Sequence, residues 1–565
     1  MGNVSRRAFL ATAGIAGLGI AGAGLSGCAP SSSSDSGSNG SASSGDAGEK
    51  AWSWQTPPEE IPENEIAETV ETDVLIVGAG MSGLCTGLRA RECGADVVIL
   101  EKMEKVLGRG GSIFAMNSRF LKEKGYTLDV GQAYKKMMGY HSYRIDEAKW
   151  MQHANRSGEA MDWLEEKMVN ASSVGGNDLF PIMEQWYIDP EDINGEYPGT
   201  HEFLGGPNGK SPRDNPQQDV VDNLAAYCAD AGVDIRYKTE ANYLVKDDSG
   251  RVVGVVAKSG GSYVKFVGKN GVVLSTGDFG TNEEMIACYC PWAADAGPGG
   301  VFDGYGHRMA LWAGAAWQKN GSSAPMIFCF QWINITNQVR AFQGLLVNEH
   351  GKRYTNEDNV LSHGSLAMMQ QPNHRCFALW DTAYATDADW GVQYVDGPPV
   401  FATPDDCIAH WDSLVSSGTI DQNGSGSMSM NMVKCDTLEE LVEALGLPKE
   451  ETLAEIERYN GFCESGNDKD WHKRTDLLFP VKQGPFYGAI CTPWQLTMTG
   501  GIRCNVNLQV LNEQDEVIPG LYCTGIMVGD MYTNCYSTHF PGHNLGGTCL
   551  TFGYLTGERL AAGQA

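Results

Sequence analysis

The sequence predicts an α/β fold, and three stretches predict it. Glu71–Lys102, ETDVLIVGAGMSGLCTGLRARECGADVVILEK, sets strand-like and helix-like apolar runs around closely spaced glycines. Gly271–Met285, GVVLSTGDFGTNEEM, is another apolar strand running into a glycine turn. Val517–Met527, VIPGLYCTGIM, is a third strand and turn, far away in sequence. In the first stretch Val74–Val77 reads as a buried strand, Gly78-Ala79-Gly80-Met81-Ser82-Gly83 as a GxGxxG turn and Leu84–Cys93 as a helix. Val97–Leu100 follows as a second strand, closed by Glu101 and Lys102. The spacing has mechanical reasons: Gly78 makes the turn, Gly80 lets backbone approach a pyrophosphate, and Gly83 lets helix and sheet pack closely. The helix N-terminus favours phosphate charge, and Glu101 accepts from ribose hydroxyls. This is a Rossmann-like dinucleotide turn.

The elements that follow extend it. Gly108–Ser118, GRGGSIFAMNS, supplies further glycines, Gly110 and Gly111, followed by Ser112, as needed where backbone wraps a long cofactor. Residues 243–270 read as a meander with a hairpin turn at Asp247–Gly250, leading into the Gly271 strand. Thr437–Gly466 reads as two helices joined at Gly446–Pro448 and stopped by Gly466, after which Gly484–Ile490 restarts strand-like sequence.

The N-terminal end is not part of this fold. Ser5–Leu10, SRRAFL, places twin arginines before a weakly apolar run, Ala11–Leu25, and LSGC at Leu25–Cys28 resembles a bacterial lipobox. Residues 1–28 are therefore expected to be an export signal of the twin-arginine type. Cys28 would carry a lipid anchor on the extracytoplasmic face of the cell membrane, tethering the protein rather than spanning the bilayer. Residues 29–67 are expected to form a flexible Ser/Gly-rich linker. With 41 basic and 70 acidic residues the formal net charge is −29, which argues against nucleic-acid binding. Sixteen cysteines form no CxxC or CxxCH, so neither a zinc site nor a haem attachment is predicted; a cluster built from dispersed cysteines stays open. Cys85, Cys93, Cys228 and Cys549 fall in apolar patterns typical of buried thiols.

Taken in order, VVLSTGDFGTN, VFDGYGHRMALWAGAA, LVNEHGKRYTNED and LTMTGG…VIPGLYCTG resemble the motifs of the fumarate reductase/succinate dehydrogenase flavoprotein superfamily. Its relatives include 3-ketosteroid dehydrogenases and ene-reductases of anaerobic bacteria. The resemblance implies FAD, bound by a domain in two sequence segments, 68–320 and 486–565, with an inserted α+β capping domain at 321–485. It also implies that Gly78, Ala79, Gly80, Ser82, Gly83, Glu101, Lys102, Gly110, Gly111, Ser112, Thr276, Gly277, Gly525, Asn544, Leu545 and Gly546 bind the cofactor. Asp278 departs from the family's usual glycine, and Ile526 from a frequent acid.

Dicarboxylate reductases of this superfamily carry a histidine and two arginines that clamp carboxylates, one arginine delivering the proton. The corresponding positions here are Thr497, Leu361 and Asn544, and neither Thr533–Thr556 nor Thr355–Asn373 contains an arginine. CYSTHFPGHNLGGTCLTFGY instead has the frame of the ketosteroid dehydrogenases, which implies Tyr536 as general acid or carbonyl polariser, with His363, His539 and His543 as weaker alternatives. Gly546-Gly547 is expected to start the helix that supports the flavin. The implied activity is reduction of the activated C=C of an α,β-unsaturated carbonyl compound that is not a dicarboxylate such as fumarate. An external cytochrome or membrane redox partner would donate the electrons. A ketosteroid-type Δ1-dehydrogenase and a non-catalytic flavin-bearing binding lipoprotein are the alternatives.

Overall fold

The computed structural model describes residues 52–169, 180–183, 199–204, 216–294, 300–320, 324–328, 344–357, 361–383, 403–417, 431–536, 540 and 542–563. The expected signal, the expected anchor residue Cys28 and most of the expected linker lie outside the described residues, as does His539.

Ile66–Val77 is the central strand of the main sheet. It runs parallel to Val97–Leu100 on one side and to Ser262–Leu274 on the other, and Asp234–Arg236 continues the parallel order beyond Val97–Leu100. Ser262–Leu274 is shared along its other edge. Its first half pairs antiparallel with Val252–Ser259, the meander strand that turns at Asp247–Gly250 from Thr239–Lys246. Its second half pairs in parallel with Val517–Cys523, Leu521 opposite Val272 and Cys523 opposite Leu274. The sheet is thus built from two distant pieces of chain, in a mixed α/β fold with a parallel-rich sheet.

Alternation explains why the central strands are apolar on both faces. Leu75, Val77, Val98 and Leu100 point into one core, with Val272, Leu521 and Phe552. Val74, Ile76, Val97 and Ile99 point into the other, against Leu84, Leu88 and Leu555. The helices covering that second face are Met81–Glu92 and Phe552–Ala561. Each such fully buried aliphatic side chain stabilises the fold by about 1.5–3 kcal/mol. Cys85, Cys228 and Cys549 are buried as expected; Cys93 is exposed, because it sits at the C-cap of Met81–Glu92 rather than on its inner face.

Residues 52–67 do not behave as linker. Ser53–Gln55 is a 3-10 turn whose Trp54 is buried beside Phe279 and Met285, and Trp312 Nε1 donates to the Trp54 carbonyl at 3.1 Å. An indole of that size buries enough surface to order the segment.

The inserted segment carries a four-stranded antiparallel sheet ordered Leu345–Val347, Cys376–Asp381, Phe486–Cys491, Asn431–Cys435. It runs to Cys491 rather than stopping at residue 485, since Phe486–Cys491 is hydrogen-bonded between two of its strands. Helices Leu438–Ala444 and Lys449–Ser465 cover it, the first opened by a Thr437/Glu440 capping box and the second stopped by Gly466 at φ 61°. Beneath them Arg353 lies between two carboxylates: Nε and Nη2 donate to Glu357 at 3.0 and 2.7 Å, and Nη1 and Nη2 to Asp468 at 3.1 and 3.0 Å. Lys473 Nζ closes this group, 3.5 Å from Glu357 and 3.2 Å from the Tyr459 hydroxyl. Arg353 and Glu357, both in the RYTNE motif, therefore hold the segment together.

Candidate active site

The glycine turn is built to be approached. Gly78 has φ +104°, and a Cβ there would lie 2.4 Å from the Ser275 carbonyl oxygen; one on Gly83 would lie 1.9 Å from that of Gly78. On Gly80 it would meet nothing within 4 Å, so that side of the turn is open. Next to it the Ser82 hydroxyl is buried with no hydrogen-bond partner. Glu101 pins the turn, accepting from Ala79 N–H at 2.9 Å and from Met103 N–H at 2.8 Å. Lys102 Nζ stands 5.7 Å from the centre of the Phe302 ring, which packs against Gly277. Thr276 N–H and Oγ1 contact Met527 Sδ at 3.3 and 3.2 Å, and Gly525 packs on Ser82.

A second wrap continues the groove. Gly110 is exposed, with φ +80°, and a Cβ there would sit 3.0 Å from Leu545 Cδ1. Gly111 is half-buried and Ser112 buried, while Phe114 N–H donates to the Gly542 carbonyl at 3.1 Å. An open glycine at a helix N-terminus, an unpartnered buried hydroxyl and exposed glycine backbone are what a dinucleotide pyrophosphate and a flavin require. The residues present fit FAD.

The C-terminal helix differs from expectation at its start. It begins at Asn544, two residues before Gly546, and Asn544–Thr551 is wound as a π-helix before Phe552–Ala561 continues as an α-helix. Wide winding is uncommon and concentrates at functional sites. Here Thr551 Oγ1 donates back to the Gly546 carbonyl at 2.5 Å, and Thr548 Oγ1 shares its one hydrogen between the Asn544 carbonyl and side-chain oxygens, 2.7 and 2.8 Å away. Gly546 serves packing rather than initiation, because a Cβ would lie 1.7 Å from the Phe114 carbonyl oxygen.

Tyr536 stands at this helix start. It is only 4% exposed, its hydroxyl accepts from Asn544 N–H at 3.3 Å, and its ring lies 4.8 Å from that of Tyr532. Tyr532 is in turn 2.7 Å from His543 Nδ1 through its hydroxyl. Burial holds His543 well below the usual histidine range, helped by the neighbouring His153, whose own value burial pushes down to about 3. Burial thus favours the neutral form of both rings. The structure brings together Tyr536, Asn544 and His543; His363 lies on helix Leu361–Met369.

One polar group was not foreseen from the sequence. The Asp278 carboxylate, almost fully buried, accepts from the Thr497 hydroxyl and, at 3.3 Å, from Phe302 N–H. Arg109 Nη1 is 3.9 Å from Asp278, and its Nη2 donates to the Leu496 carbonyl at 3.1 Å. Burial raises the Asp278 carboxyl above its usual range, opposed only in part by Thr497 and Arg109. Burial also lowers the Arg109 guanidinium, against the support of Asp278. Two signals were present, Asp278 in place of a glycine and Thr497 in place of a histidine, but nothing in the sequence linked them. Among the described residues no group of three or more His, Cys, Asp or Glu side chains is arranged to hold a metal ion.

Comparison with known proteins agrees with the fold and with FAD as the cofactor. The family model described as "FAD binding domain" matches residues 73–540. The chain is 23% identical over 505 residues to the vinyl phenol reductase of Lactiplantibacillus plantarum, covering 86% of this chain and 94% of that one. It is 25% identical over 500 residues to a cytochrome-type fumarate reductase of Shewanella frigidimarina, covering 86% and 77%. Its fold resembles that of 3-ketosteroid-Δ4-(5α)-dehydrogenase from Rhodococcus jostii, with a TM-score of 0.66, 22% identity, and 89% and 99% of the two chains covered.

Proposed function

Since the chain belongs to the FAD-binding-domain family, with FAD as cofactor and oxidoreduction at carbon–carbon bonds as its chemistry, we propose that it reduces the activated C=C of an α,β-unsaturated carbonyl compound other than a dicarboxylate. The vinyl phenol and fumarate reductases named above both support C=C reduction while differing in substrate charge.

The observation that carries the choice is the Tyr536 hydroxyl at the start of the Asn544 helix. Bound FAD supplies, when reduced, the hydride for one carbon of the double bond. Tyr536 is the group placed to deliver the proton. Asn544 N–H, donating to the Tyr536 oxygen, stabilises the phenolate left behind once the proton is delivered. A dicarboxylate fits poorly, because Thr497, Leu361 and Asn544 offer no cations where a second carboxylate would need one. Leaving a carboxylate desolvated and unpaired costs several kcal/mol.

Two further parts belong to the proposal. Ser5–Leu10 and Leu25–Cys28 support twin-arginine export and a lipid tether on the extracytoplasmic face. Electrons then come from a separate cytochrome or membrane redox partner.

The test is direct. The purified flavoprotein is reduced anaerobically with an artificial donor and offered fumarate, urocanate, cinnamates and enone steroids while flavin reoxidation is followed. Reoxidation by one of the unsaturated carbonyl compounds and not by fumarate is expected; fast reoxidation by fumarate overturns the exclusion of dicarboxylates. Tyr536→Phe should slow the reaction by about 10²–10⁴-fold. A full rate in that variant removes Tyr536 from the mechanism.

A further inference from the structure

Arg109 is a cation whose carboxylate partner among the described residues, Asp278, stays out of hydrogen-bond reach. Its guanidinium is largely buried, with the side chain 28% exposed, yet among the described residues the nearest carboxylate oxygen stands at 3.9 Å, beyond hydrogen-bond range. Among the described residues its one hydrogen bond is Nη2 to the Leu496 carbonyl. Asp278 is engaged by other donors. One of its oxygens is taken by the Thr497 hydroxyl and the other by Phe302 N–H, and its burial works against full ionisation. A half-buried guanidinium fork with most of its donors unspent is the group that takes a carboxylate in two parallel hydrogen bonds.

Its place fixes which carboxylate. Arg109 directly precedes exposed Gly110, which packs on Leu545 at the start of the π-wound helix, and it bonds the strand that carries half-exposed Thr497. The pyrophosphate of the cofactor belongs elsewhere, at the N-terminus of Met81–Glu92 beside Gly80 and Ser82. Thr497, donating to Asp278, keeps only acceptor capacity and offers nothing to an anion.

We infer that Arg109 anchors the single carboxylate of an unsaturated monocarboxylic acid, setting specificity for acids of one negative charge. This rests on the ene-reductase reading and narrows it.

The experiment uses the FAD-loaded, full-length protein and the variants Arg109→Gln and Arg109→Lys. Cinnamate and urocanate are compared with their methyl esters as acceptors of flavin electrons. Binding of the saturated product 3-phenylpropionate is followed separately by perturbation of the oxidised flavin spectrum. In Arg109→Gln, kcat/KM for the acids is expected to fall at least tenfold further than for the esters. Affinity for 3-phenylpropionate should fall by a similar factor, and Arg109→Lys should recover part of both. Equal falls for acid and ester overturn the inference, as does loss of bound FAD in Arg109→Gln, which would move the guanidinium to the cofactor. Failure of the wild-type protein to be reoxidised by any acid or ester sinks the ene-reductase reading instead. In that case the binding arm still decides on Arg109: no binding of 3-phenylpropionate, or binding unchanged by Arg109→Gln, overturns it.

Discussion

Arg353 in the inserted segment makes four hydrogen bonds of 2.7–3.1 Å to Glu357 and Asp468, whereas Arg109 in the flavin region meets its carboxylate at 3.9 Å. Both arginines are largely withdrawn from water, so burial opposes charge at each site. At the first site pairing wins. Burial alone would raise the Asp468 carboxyl, but the hydrogen bonds and charge of Arg353 hold it below its usual range. Burial would likewise lower Arg353, and its two carboxylates outweigh that. At the second site burial wins, and Asp278 and Arg109 are both shifted away from their charged forms. A satisfied ion cluster serves the fold; an unsatisfied one is tolerable only where something else completes it.

Breaking the closed site should have the larger consequence. Arg353→Met leaves two buried carboxylates without their partner and is expected to destabilise the protein by about 3–5 kcal/mol, read from urea unfolding. A loss below about 1 kcal/mol would mean that Lys473 alone suffices and that the cluster is less closed than its geometry indicates.

The pH dependence of stability should have opposite signs at the two sites. Asp468 has a depressed carboxyl, so its contribution is present above the ordinary value of 3.8 and is lost as pH falls through the lower folded value. Asp278 has a raised carboxyl, so its contribution is present below 3.8 and is lost as pH rises through the higher folded value. Relative to wild type, Asp278→Asn should therefore gain stability as pH rises through that window. Asp468→Asn should lose it as pH rises through its own. Unfolding midpoints across acidic pH measure both, and slopes of the same sign would erase the contrast.

The smallest effect is expected from Thr497→Val, which removes one hydroxyl from Asp278 and should cost about 1 kcal/mol. A much larger loss would make Asp278 a structural anchor like Asp468.

What could be read from the sequence follows how far each constraint reaches. The turn Gly78–Gly83, the strands around it and the stop at Gly466 are set by neighbours a few residues away, and local pattern exposes them. The Thr497–Asp278 bond spans 219 positions, so the two residues registered only as separate departures from a motif. Their meeting explains both at once, since an acid at 278 needs a donor at 497. The helix start was misplaced for the same reason. Gly546 looks like an initiator, but the atom that demands glycine there belongs to Phe114. Trp54 lies just past the Ser/Gly-rich stretch, and its indole is enough to bring that part of the chain into the core.

The split sheet has a consequence for how the protein is made. Leu274 waits, as the chain leaves the ribosome, for Cys523, and its parallel edge stays bare while the whole inserted segment is synthesised. Long-range parallel pairing of this kind forms slowly and exposes an aggregation-prone edge in the meantime. A truncated product lacking Val517–Cys523 would therefore leave the ribosome with that edge of the sheet open.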